Sequence, residues 1–306
     1  MLQQAARPQR ISLRSSLPTA RPGLARTRGK EQKREVIAPE RGKAKPFLKW
    51  VGGKRQLLPE LEPRIPSHYG TYHEPFVGGG ALFFHHQPRR AVLSDANERL
   101  IRTYRGVRDK VEDVIGLLSS YPHDRDFFLE MRGIDVDRRS DAEVAAWFIY
   151  LNRTGFNGLY RVNRSNIYNV PFGDYDNPVI CDADTLRACA RALRHTELLC
   201  TSFETVVDRT RPGDFVYFDP PYVPLSPSSN FTAYTRGGFG MAEHAQLRDV
   251  ARTLKARGVS VLLSNSSAPV VHALYGDGFE LASVGATRAV NCKAAGRGRV
   301  QELLIR

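Results

Sequence analysis

The sequence predicts an α/β protein with a doubly wound, mainly parallel sheet that is interrupted by an inserted, mainly helical subdomain. Short apolar stretches typical of buried strands alternate with longer stretches of helical periodicity, up to about residue 119 and again from about residue 198. The stretch between them lacks this alternation. In such sheets ligands bind at the carboxyl ends of the strands, so we expect the functional groups to gather there.

Structure is expected to begin near Pro46. The apolar run at 47–51 leads to a glycine pair and a helix-like stretch at 55–61. A strand at 72–76 precedes a glycine loop and an apolar helix that starts at 81, and a strand at 91–95 precedes a helix from 97 to about 119. The apolar residues of this last helix recur with the helical period, at Leu100, Ile101, Tyr104, Val107, Val111 and Val114.

The middle of the chain predicts an inserted subdomain over residues 120–197. It contains a helix at 142–152, a polar loop at 153–176 and a helix at 182–194. The alternating pattern then resumes with strands at 197–200, 214–218 and 260–264, a helix at 241–257 and terminal strands at 279–284 and 300–305. We therefore assign residues 46–119 and 198–306 to one α/β domain, which would carry the catalytic groups.

Positive charge is concentrated at the amino terminus. Residues 1–45 contain twelve Lys or Arg and three Glu, so this segment holds +9 of the formal net charge of +13. It is rich in Arg, Pro, Ser and Ala without apolar periodicity, which is typical of a disordered tail. A weak DNA-contacting arm is one alternative. An organellar targeting segment is another, since the first thirty residues contain no acid.

The composition predicts a globular protein without a membrane-spanning segment. With 306 residues, 42% of them hydrophobic, the chain can bury one large core. No apolar run approaches the roughly 20 residues that span a bilayer, and the N-terminus lacks the apolar core of a secretory signal, so we expect a cytoplasmic protein without a membrane partner. We also expect a monomer. The four cysteines lack metal-ligand spacing, so neither a metal site nor a disulfide framework is predicted.

The segment Asp219-Pro220-Pro221-Tyr222, which follows the apolar run 215–218, carries the most informative chemistry. Its two prolines stiffen the backbone and donate no hydrogen bond, so the Asp219 carboxylate and the Pro220 carbonyl remain as acceptors. A planar amino group offers two N–H donors, and the Tyr222 ring can stack on a planar base. The segment therefore predicts a pocket for the exocyclic amine of adenine. A strand that ends in a simple proline turn is the alternative.

Two further features lie at predicted strand ends. The run Phe76-Val77-Gly78-Gly79-Gly80 joins a strand to a helix, and its glycines permit close approach of a ligand to the backbone; a tight turn without a ligand is the alternative. Asp95 ends the next strand, where an acid can hold ribose hydroxyls or cap the following helix. The motif G-x-x-x-x-G-K-[ST] is absent from the sequence, which disfavours phosphoryl transfer.

The loop from Leu151 to Arg164 interleaves arginine, asparagine and aromatic residues. Arginine can bond guanine through two N–H groups in the major groove, asparagine can bond adenine or a phosphate, and an aromatic ring can insert between base steps. Arg153, Phe156, Asn157 and Arg161 are the candidates for these contacts. A solvated polar loop, anchored in the core by one aromatic residue, is the alternative.

Taken together in their order, eight segments resemble the Dam-like, D12-class DNA adenine methyltransferases. They are FLKWVGGK at 47–54, HEPFVGGGALFF at 73–84, LSDAN at 93–97, YLNRTGFNGLYRVN at 150–163, NVPFGDY at 169–175, FVYFDPPYVPLS at 215–226, NFTAYT at 230–235 and RAVN at 288–291. The resemblance extends from about Pro46 to the C-terminus. It implies a Rossmann-like class I methyltransferase sheet with an antiparallel hairpin at its last strands.

The resemblance also implies which residues form the site. The methyl donor would be S-adenosylmethionine, without a metal, and the donor pocket would be formed by Trp50, Lys54, Phe76, Gly78, Gly80, Asp95 and Asp219. The partner would be double-stranded DNA with a GATC-type site, contacted by Lys49, Phe156, Leu159, Arg161 and Pro171. Of these, Leu159 and Arg161 would contact bases, and Phe156, which stands where the family often has tyrosine, would insert at the target step.

These residues predict a mechanism in which the target adenine leaves the duplex, because its amine is inaccessible while the base is stacked and paired. Asp219 and the Pro220 carbonyl would accept its N–H bonds, and Tyr222 would stack on it. The alternatives are an amino-group methyltransferase for cytosine, RNA or glutamine, a catalytically silent DNA-binding protein, and a nucleotide-dependent oxidoreductase, which the spacing of FVGGG disfavours. Roles in restriction–modification and in DNA replication or repair both fit the predicted activity.

Overall fold

The computed structural model of the protein describes residues 44–225, 239–287 and 299–306. Within them one sheet contains seven strands: β1 Tyr72–Glu74, β2 Ala91–Asp95, β3 Thr196–Cys200, β4 Phe215–Phe218, β5 Ser260–Ser266, β6 Leu281–Thr287 and β7 Arg299–Ile305. Their order is β3-β2-β1-β4-β5-β7-β6. Strands β1 to β5 are parallel, and β7 runs antiparallel to both β5 and β6. The predicted α/β class and antiparallel terminal hairpin are thus confirmed.

Ten α-helices occur in the same three ranges of the chain. They are α1 Leu58–Leu61, α2 Ala81–His86, α3 Glu98–Asp109, α4 Val111–Ser120, α5 Arg125–Gly133, α6 Asp141–Thr154, α7 Ala183–Leu193, α8 Val206–Arg209, α9 Met241–Ala256 and α10 Pro269–Tyr275. None of them is long and apolar enough to cross a bilayer. The predicted tail lies outside the described residues as far as position 43, and so do the segments at 230–235 and 288–291.

Three predicted elements were wrong in extent, one of which is the strand expected at 279–284, found as β6 at Leu281–Thr287. The single helix expected from 97 to 119 is broken at Lys110, whose φ of −139° and ψ of 38° are not helical. Apolar residues are buried on both sides of this break, Val107 in α3 and Val114 in α4. The apolar periodicity therefore continues across Lys110, and the sequence pattern does not show the break. The strand expected to reach Phe76 ends at Glu74, because Pro75 has no N–H with which to continue the ladder.

The sheet separates two hydrophobic layers, because successive side chains of a strand point to opposite faces. In β4, Phe215 and Tyr217 belong to one hydrophobic cluster, whereas Val216 and Phe218 belong to the other. The first cluster contains apolar residues of α3, α6 and α7, and the second contains those of α9 and α10. Helices therefore cover both faces, as in a doubly wound fold.

The predicted insertion shares the core of the sheet. Helix α6 begins with a capping box, in which Ser140 and Glu143 bond each other's backbone N–H. Its apolar residues belong to the same hydrophobic cluster as Tyr72 of β1 and Leu93 of β2. The boundaries proposed for a subdomain at 120–197 stay a prediction, but the helices of this segment pack as part of the main core.

Candidate active site

The strand order creates a crevice at the carboxyl ends of β1 and β4. The chain leaves β1 towards β2 on one side and leaves β4 towards β5 on the other, which makes this the switch point at which doubly wound sheets bind ligands. The glycine loop at 75–80 follows β1, Asp95 ends β2, and Asp219 follows β4 directly. The residues predicted at strand ends therefore meet at one edge of the sheet.

Asp219 forms a buried ion pair with a residue 165 positions earlier in the chain. Its Oδ1 lies 2.7 Å from Nζ of Lys54 and accepts a 3.1 Å hydrogen bond from Ser264 Oγ. Lys54 also donates to the Gly52 carbonyl at 2.6 Å, and its ammonium lies 4.4 Å from the centre of the Tyr222 ring. Lys54, Asp219 and Tyr222 thus form one compact group, hereafter called the acidic corner.

The acidic corner alters the ionisation of its carboxylate. Burial raises the pKa of Asp219 above its ordinary value, and the charge of Lys54 and the bonds from Lys54 and Ser264 only partly oppose this rise. Burial and the neighbouring carboxylates of Asp219 and Glu302 raise the pKa of Tyr222 well above its usual range. Asp219 is therefore a better proton acceptor than an exposed aspartate, and Tyr222 keeps its hydroxyl proton.

The glycine loop approaches the aromatic side chain of Trp50. Gly78 has a φ of 45°, and a Cβ at this position would lie 2.5 Å from Nε1 of Trp50. The loop is held by two bonds, from the Gly78 N–H to Asp95 Oδ2 at 3.2 Å and from the Tyr104 hydroxyl to the Gly78 carbonyl at 3.0 Å. Only glycine fits here, since both the conformation and the contact exclude a side chain.

Asp95 does not cap the helix that follows it. The cap of α3 is Asn97, whose side chain accepts the Leu100 N–H at 3.1 Å. Asp95 instead accepts the N–H of Asn97 on Oδ1 at 3.0 Å and that of Gly78 on Oδ2. Burial raises the pKa of Asp95 to about 6, although these backbone bonds oppose the shift.

Aromatic rings surround the loop. Phe76 stacks on Phe203 with ring centres 5.4 Å apart and meets Phe239 edge-on at 5.6 Å. Trp50 lies nearly parallel to Phe148 and Tyr160, with both ring centres 6.4 Å away. The predicted donor-pocket residues are therefore held among apolar, planar groups.

The predicted recognition loop forms a small hairpin after α6. Arg161 and Asn169 face each other, with the Asn169 N–H donating to the Arg161 carbonyl at 3.0 Å and the Arg161 guanidinium donating to Asn169 Oδ1 at 2.8 Å. The turn between them includes Asn166, at a φ of 60°. Arg161 is exposed, so its guanidinium is accessible at the surface.

Phe156 and its neighbours lie at the base of this hairpin. Phe156 is 44% exposed, which is unusual for so large an apolar side chain, and its N–H donates to the Pro171 carbonyl at 2.9 Å. Asn157 is exposed and left-handed, with a φ of 54°. Pro171 is exposed and Leu159 is half-buried. The hairpin therefore presents an apolar ring and polar groups together.

Two predicted DNA-facing residues are engaged within the protein. Arg153 is half-buried and donates from Nη2 to the Phe47 carbonyl at 2.7 Å, so one of its five N–H donors is used inside the protein. The ammonium of Lys49 lies 4.2 Å from the centre of the Tyr175 ring. The structure thus brings Lys49 to the recognition hairpin and turns Arg153 towards the core.

Comparison with known proteins identifies the family. A model of the D12 class of N6 adenine-specific DNA methyltransferases matches residues 50–290. The type II methyltransferase M1.LlaDCHI of Lactococcus lactis subsp. cremoris is 43% identical over 269 residues, which cover 85% of this chain and 94% of that protein. The chain belongs to the D12 class of N6 adenine-specific DNA methyltransferases.

Two other relatives also match this chain over nearly their whole length. The type II methyltransferase M.MjaIII of Methanocaldococcus jannaschii is 38% identical, covering 85% of this chain and 98% of its own length. The DNA adenine methylase of Vibrio cholerae is 35% identical, covering 86% of this chain and 95% of its own. The protein is therefore a DNA methyltransferase that modifies adenine at N6, as the sequence analysis predicted.

The structure of this D12-class enzyme adds residues that the sequence analysis missed. Asn152, buried at the end of α6, accepts the Lys49 N–H at 2.8 Å and donates to the carbonyls of Lys49 and Gly158 at 2.8 and 2.7 Å. Arg99 of α3 holds Asp137 through two bonds and donates to the Asn166 carbonyl at 2.7 Å. Both side chains attach the recognition hairpin to the α/β core. The signal for Asn152 was its place in the LNRTGFNG segment.

A second buried acid lies close to the acidic corner. Glu74 is the last residue of β1, is 3% exposed and accepts a 2.7 Å bond from the Tyr72 hydroxyl. Burial raises its pKa to about 8, and the charge of Asp219 adds to the shift. At neutral pH Glu74 is therefore protonated and neutral. Its only signal in the sequence was its position in the HEPFVGGG segment, from which its burial could not be predicted.

Glu74 is expected to make the stability of the enzyme fall as the pH rises. The unfolded chain loses this proton near 4.5, whereas the folded protein keeps it up to about 8, so between these values each pH unit costs up to about 1.4 kcal/mol of unfolding free energy. Glu74→Gln should remove this loss, so its stability relative to wild type should increase from pH 5.5 to 8.5 in urea titrations. Glu98→Gln, at an exposed position of α3, is the control. Parallel pH curves for wild type and Glu74→Gln would contradict the assignment.

Proposed function

We propose that this enzyme takes a methyl group from S-adenosylmethionine and transfers it to N6 of an adenine that has left the duplex, in a GATC-type site, and that it acts as a monomer. The observation that carries the proposal is the acidic corner, which adjoins the glycine loop at the sheet's switch point. When bound, the donor would supply a methyl group on a positively charged sulfur.

The residues of the crevice fit this donor. Gly78 and Trp50 provide a backbone surface and a planar ring in contact with each other. Each carboxylate oxygen of Asp95 accepts one backbone N–H and keeps a lone pair for a ribose hydroxyl. Phe76 adds an apolar face for a planar base. The carboxylates of Asp95 and Asp219 also suit a ligand with positive charges.

The acidic corner suits the amine of an extruded adenine. In the part of the chain that the structure describes, Lys54 and Ser264 both contact Oδ1 of Asp219. Oδ2 is therefore the atom that we expect to accept one N–H of the amine, with the Pro220 carbonyl accepting the other. As the nitrogen forms its bond to the methyl carbon, the bond between that carbon and the donor sulfur would break and the sulfur would become neutral. The nitrogen would become positively charged, and Asp219, whose pKa is raised, can stabilise that charge and take the departing proton.

DNA recognition is proposed for the recognition hairpin and for the residues around Phe156, where the hairpin joins the rest of the protein. Phe156 is the exposed aromatic ring that would insert at the target step. Arg161 and Asn157 are exposed polar groups that would contact base edges or phosphates, beside Leu159 and Pro171. Asn152 bonds both Lys49 and Gly158, so the recognition hairpin and the donor-pocket segment that includes Trp50 are held together.

The proposed function is tested with the purified full-length chain, labelled S-adenosylmethionine and duplex oligonucleotides. We expect 6-methyladenine, identified by mass spectrometry, in duplexes that contain GATC and not in duplexes with the same bases in another order. Light scattering should give a mass near 34.3 kDa. Equal methylation of all duplexes would refute the proposed site, and no 6-methyladenine in any of them would refute the proposed reaction.

Arg161 is expected to contribute most to discrimination between DNA sites. Because a bidentate arginine–guanine contact is worth about 1–3 kcal/mol, Arg161→Ala should reduce the ratio of kcat/KM for GATC over a singly altered site by about 10- to 100-fold. Arg209→Ala is the control, since Arg209, the last residue of α8, pairs with Glu197 near the amino end of β3, whereas the crevice lies at the carboxyl ends of the strands. An unchanged ratio, with kcat/KM lowered equally for all duplexes, would instead indicate a phosphate contact.

A further inference from the structure

The last strand brings a carboxylate to the acidic corner. Glu302 is the fourth residue of β7 and pairs with Ser266 of β5 on one side and Val284 of β6 on the other. Because β7 is antiparallel to β5, its early residues lie beside the carboxyl end of β5, where the catalytic crevice is. The three residues after Glu302, Leu303, Leu304 and Ile305, are at most 1% exposed, so the strand that carries this acid is firmly packed.

Glu302 contacts the aromatic residue of the acidic corner directly. Its Oε2 accepts the hydroxyl hydrogen of Tyr222 at 2.7 Å, across 80 positions of sequence. A hydroxyl-to-carboxylate bond of this length is charge-assisted and stronger than a neutral one. Burial and two carboxylates keep the proton on Tyr222, so the direction of the bond is fixed.

The contacts of Tyr222 with Glu302 and with Lys54 restrict different motions of its ring. The bond to Glu302 holds the hydroxyl, at the far end of the side chain, and so limits rotation about the Cα–Cβ bond. The Lys54 ammonium lies 4.4 Å from the ring centre, over one face, and so limits rotation of the ring about its own axis. With Pro221 before it and the Val223 N–H bonded to Asn265 Oδ1 at 3.1 Å, the backbone of Tyr222 is also held.

We propose that Glu302 is a positioning residue for methyl transfer, whose carboxylate holds the Tyr222 ring at the angle at which the target base stacks. The inference rests on the proposed function, in which Tyr222 stacks on the extruded adenine. Glu302 touches neither the amine nor the methyl donor in this role. Its effect should therefore appear in the rate of the bound complex and not in the binding of DNA or donor.

The test removes each end of the bond separately and then both. Because a hydrogen bond to a charged group is lost, Glu302→Leu and Tyr222→Phe should each lower kcat by about 10-fold, with the KM for DNA and the calorimetric Kd for S-adenosylmethionine unchanged within about 2-fold. The double variant should be no slower than either single variant, since both remove the same interaction. Glu302→Gln keeps an acceptor oxygen and should recover most of the rate.

The control is a second carboxylate of the same terminal hairpin region. Glu280 pairs with Arg306 at 2.7 Å and is exposed, so Glu280→Leu should leave kcat unchanged. The inference would be overturned if the fold-losses in kcat of the two single variants multiplied in the double variant. It would also be overturned if Tyr222→Phe had the kcat of wild type, a result that does not require Glu302→Leu to fold. If either of these outcomes is found while the wild-type enzyme methylates adenine, only the role of Glu302 is refuted. If the wild-type enzyme itself is inactive, the proposed function is refuted.

Discussion

Asp219→Ala is expected to lower the rate of methyl transfer by about 10²- to 10³-fold, the cost of removing one preorganised group that stabilises developing charge. The carboxylate lies at the carboxyl end of β4, and its Oδ2 is our candidate acceptor for the target amine. DNA binding should remain close to that of wild type, because the exposed groups of the recognition hairpin are contributed by another segment. Single-turnover rates and DNA titrations would measure the two properties independently.

Two controls separate the chemistry of Asp219 from its structural role. Alanine leaves the Lys54 ammonium without its 2.7 Å partner, so the melting temperature of the variant must be compared with that of wild type. Asp219→Asn keeps the side-chain volume and one acceptor oxygen but loses the charge, so it should be slower than wild type and faster than the alanine variant. A folded Asp219→Ala enzyme within a few fold of the wild-type rate would remove Asp219 from the mechanism.

Lys54→Met is expected to affect both stability and the pH dependence of the rate. The side chains of Lys54 and Asp219 are only 7% and 20% exposed, and removal of one partner from a buried ion pair typically costs about 3–5 kcal/mol. Part of this loss is avoided if Asp219 takes up a proton. Without the charge of Lys54, which opposes the effect of burial, the pKa of Asp219 should rise further.

The direction of the pH effect follows from the role that we propose for Asp219. Only the ionised carboxylate can accept both an N–H bond and the departing proton, so the rate should fall as the pH drops through the pKa of Asp219. In Lys54→Met this acid limb should move to higher pH in profiles of kcat at saturating donor. Lys255→Met is the matched control, because Lys255 also bonds a backbone carbonyl and covers an aromatic ring, Phe279, away from the crevice. An acid limb at the wild-type position would contradict the proposed coupling.

Features with a local sequence signal were predicted most accurately. Asp95 and Asp219 follow apolar strand-like runs, and the carboxyl ends of parallel strands meet at one edge of a sheet, so their proximity could be expected. The helix expected around 142–152 was confirmed as α6, whose local signals are its Ser140–Glu143 capping box and a run of apolar residues that are buried on nearly every side. By contrast, α5 was missed although Asp124 caps its first turn, since a cap is a weak signal within an otherwise irregular segment.

The sequence by itself determined the α/β class, the identity of the strand-end residues and the family, because periodicity, turn chemistry and ordered motifs depend on neighbours along the chain. Only the tertiary structure decided that Glu74 is neutral, that Arg153 points inward and that Glu302 bonds Tyr222. The physical reason is that burial and long-range hydrogen bonds depend on strand order and register. A carboxylate 80 residues away can reach the acidic corner only once β7 has paired with β5.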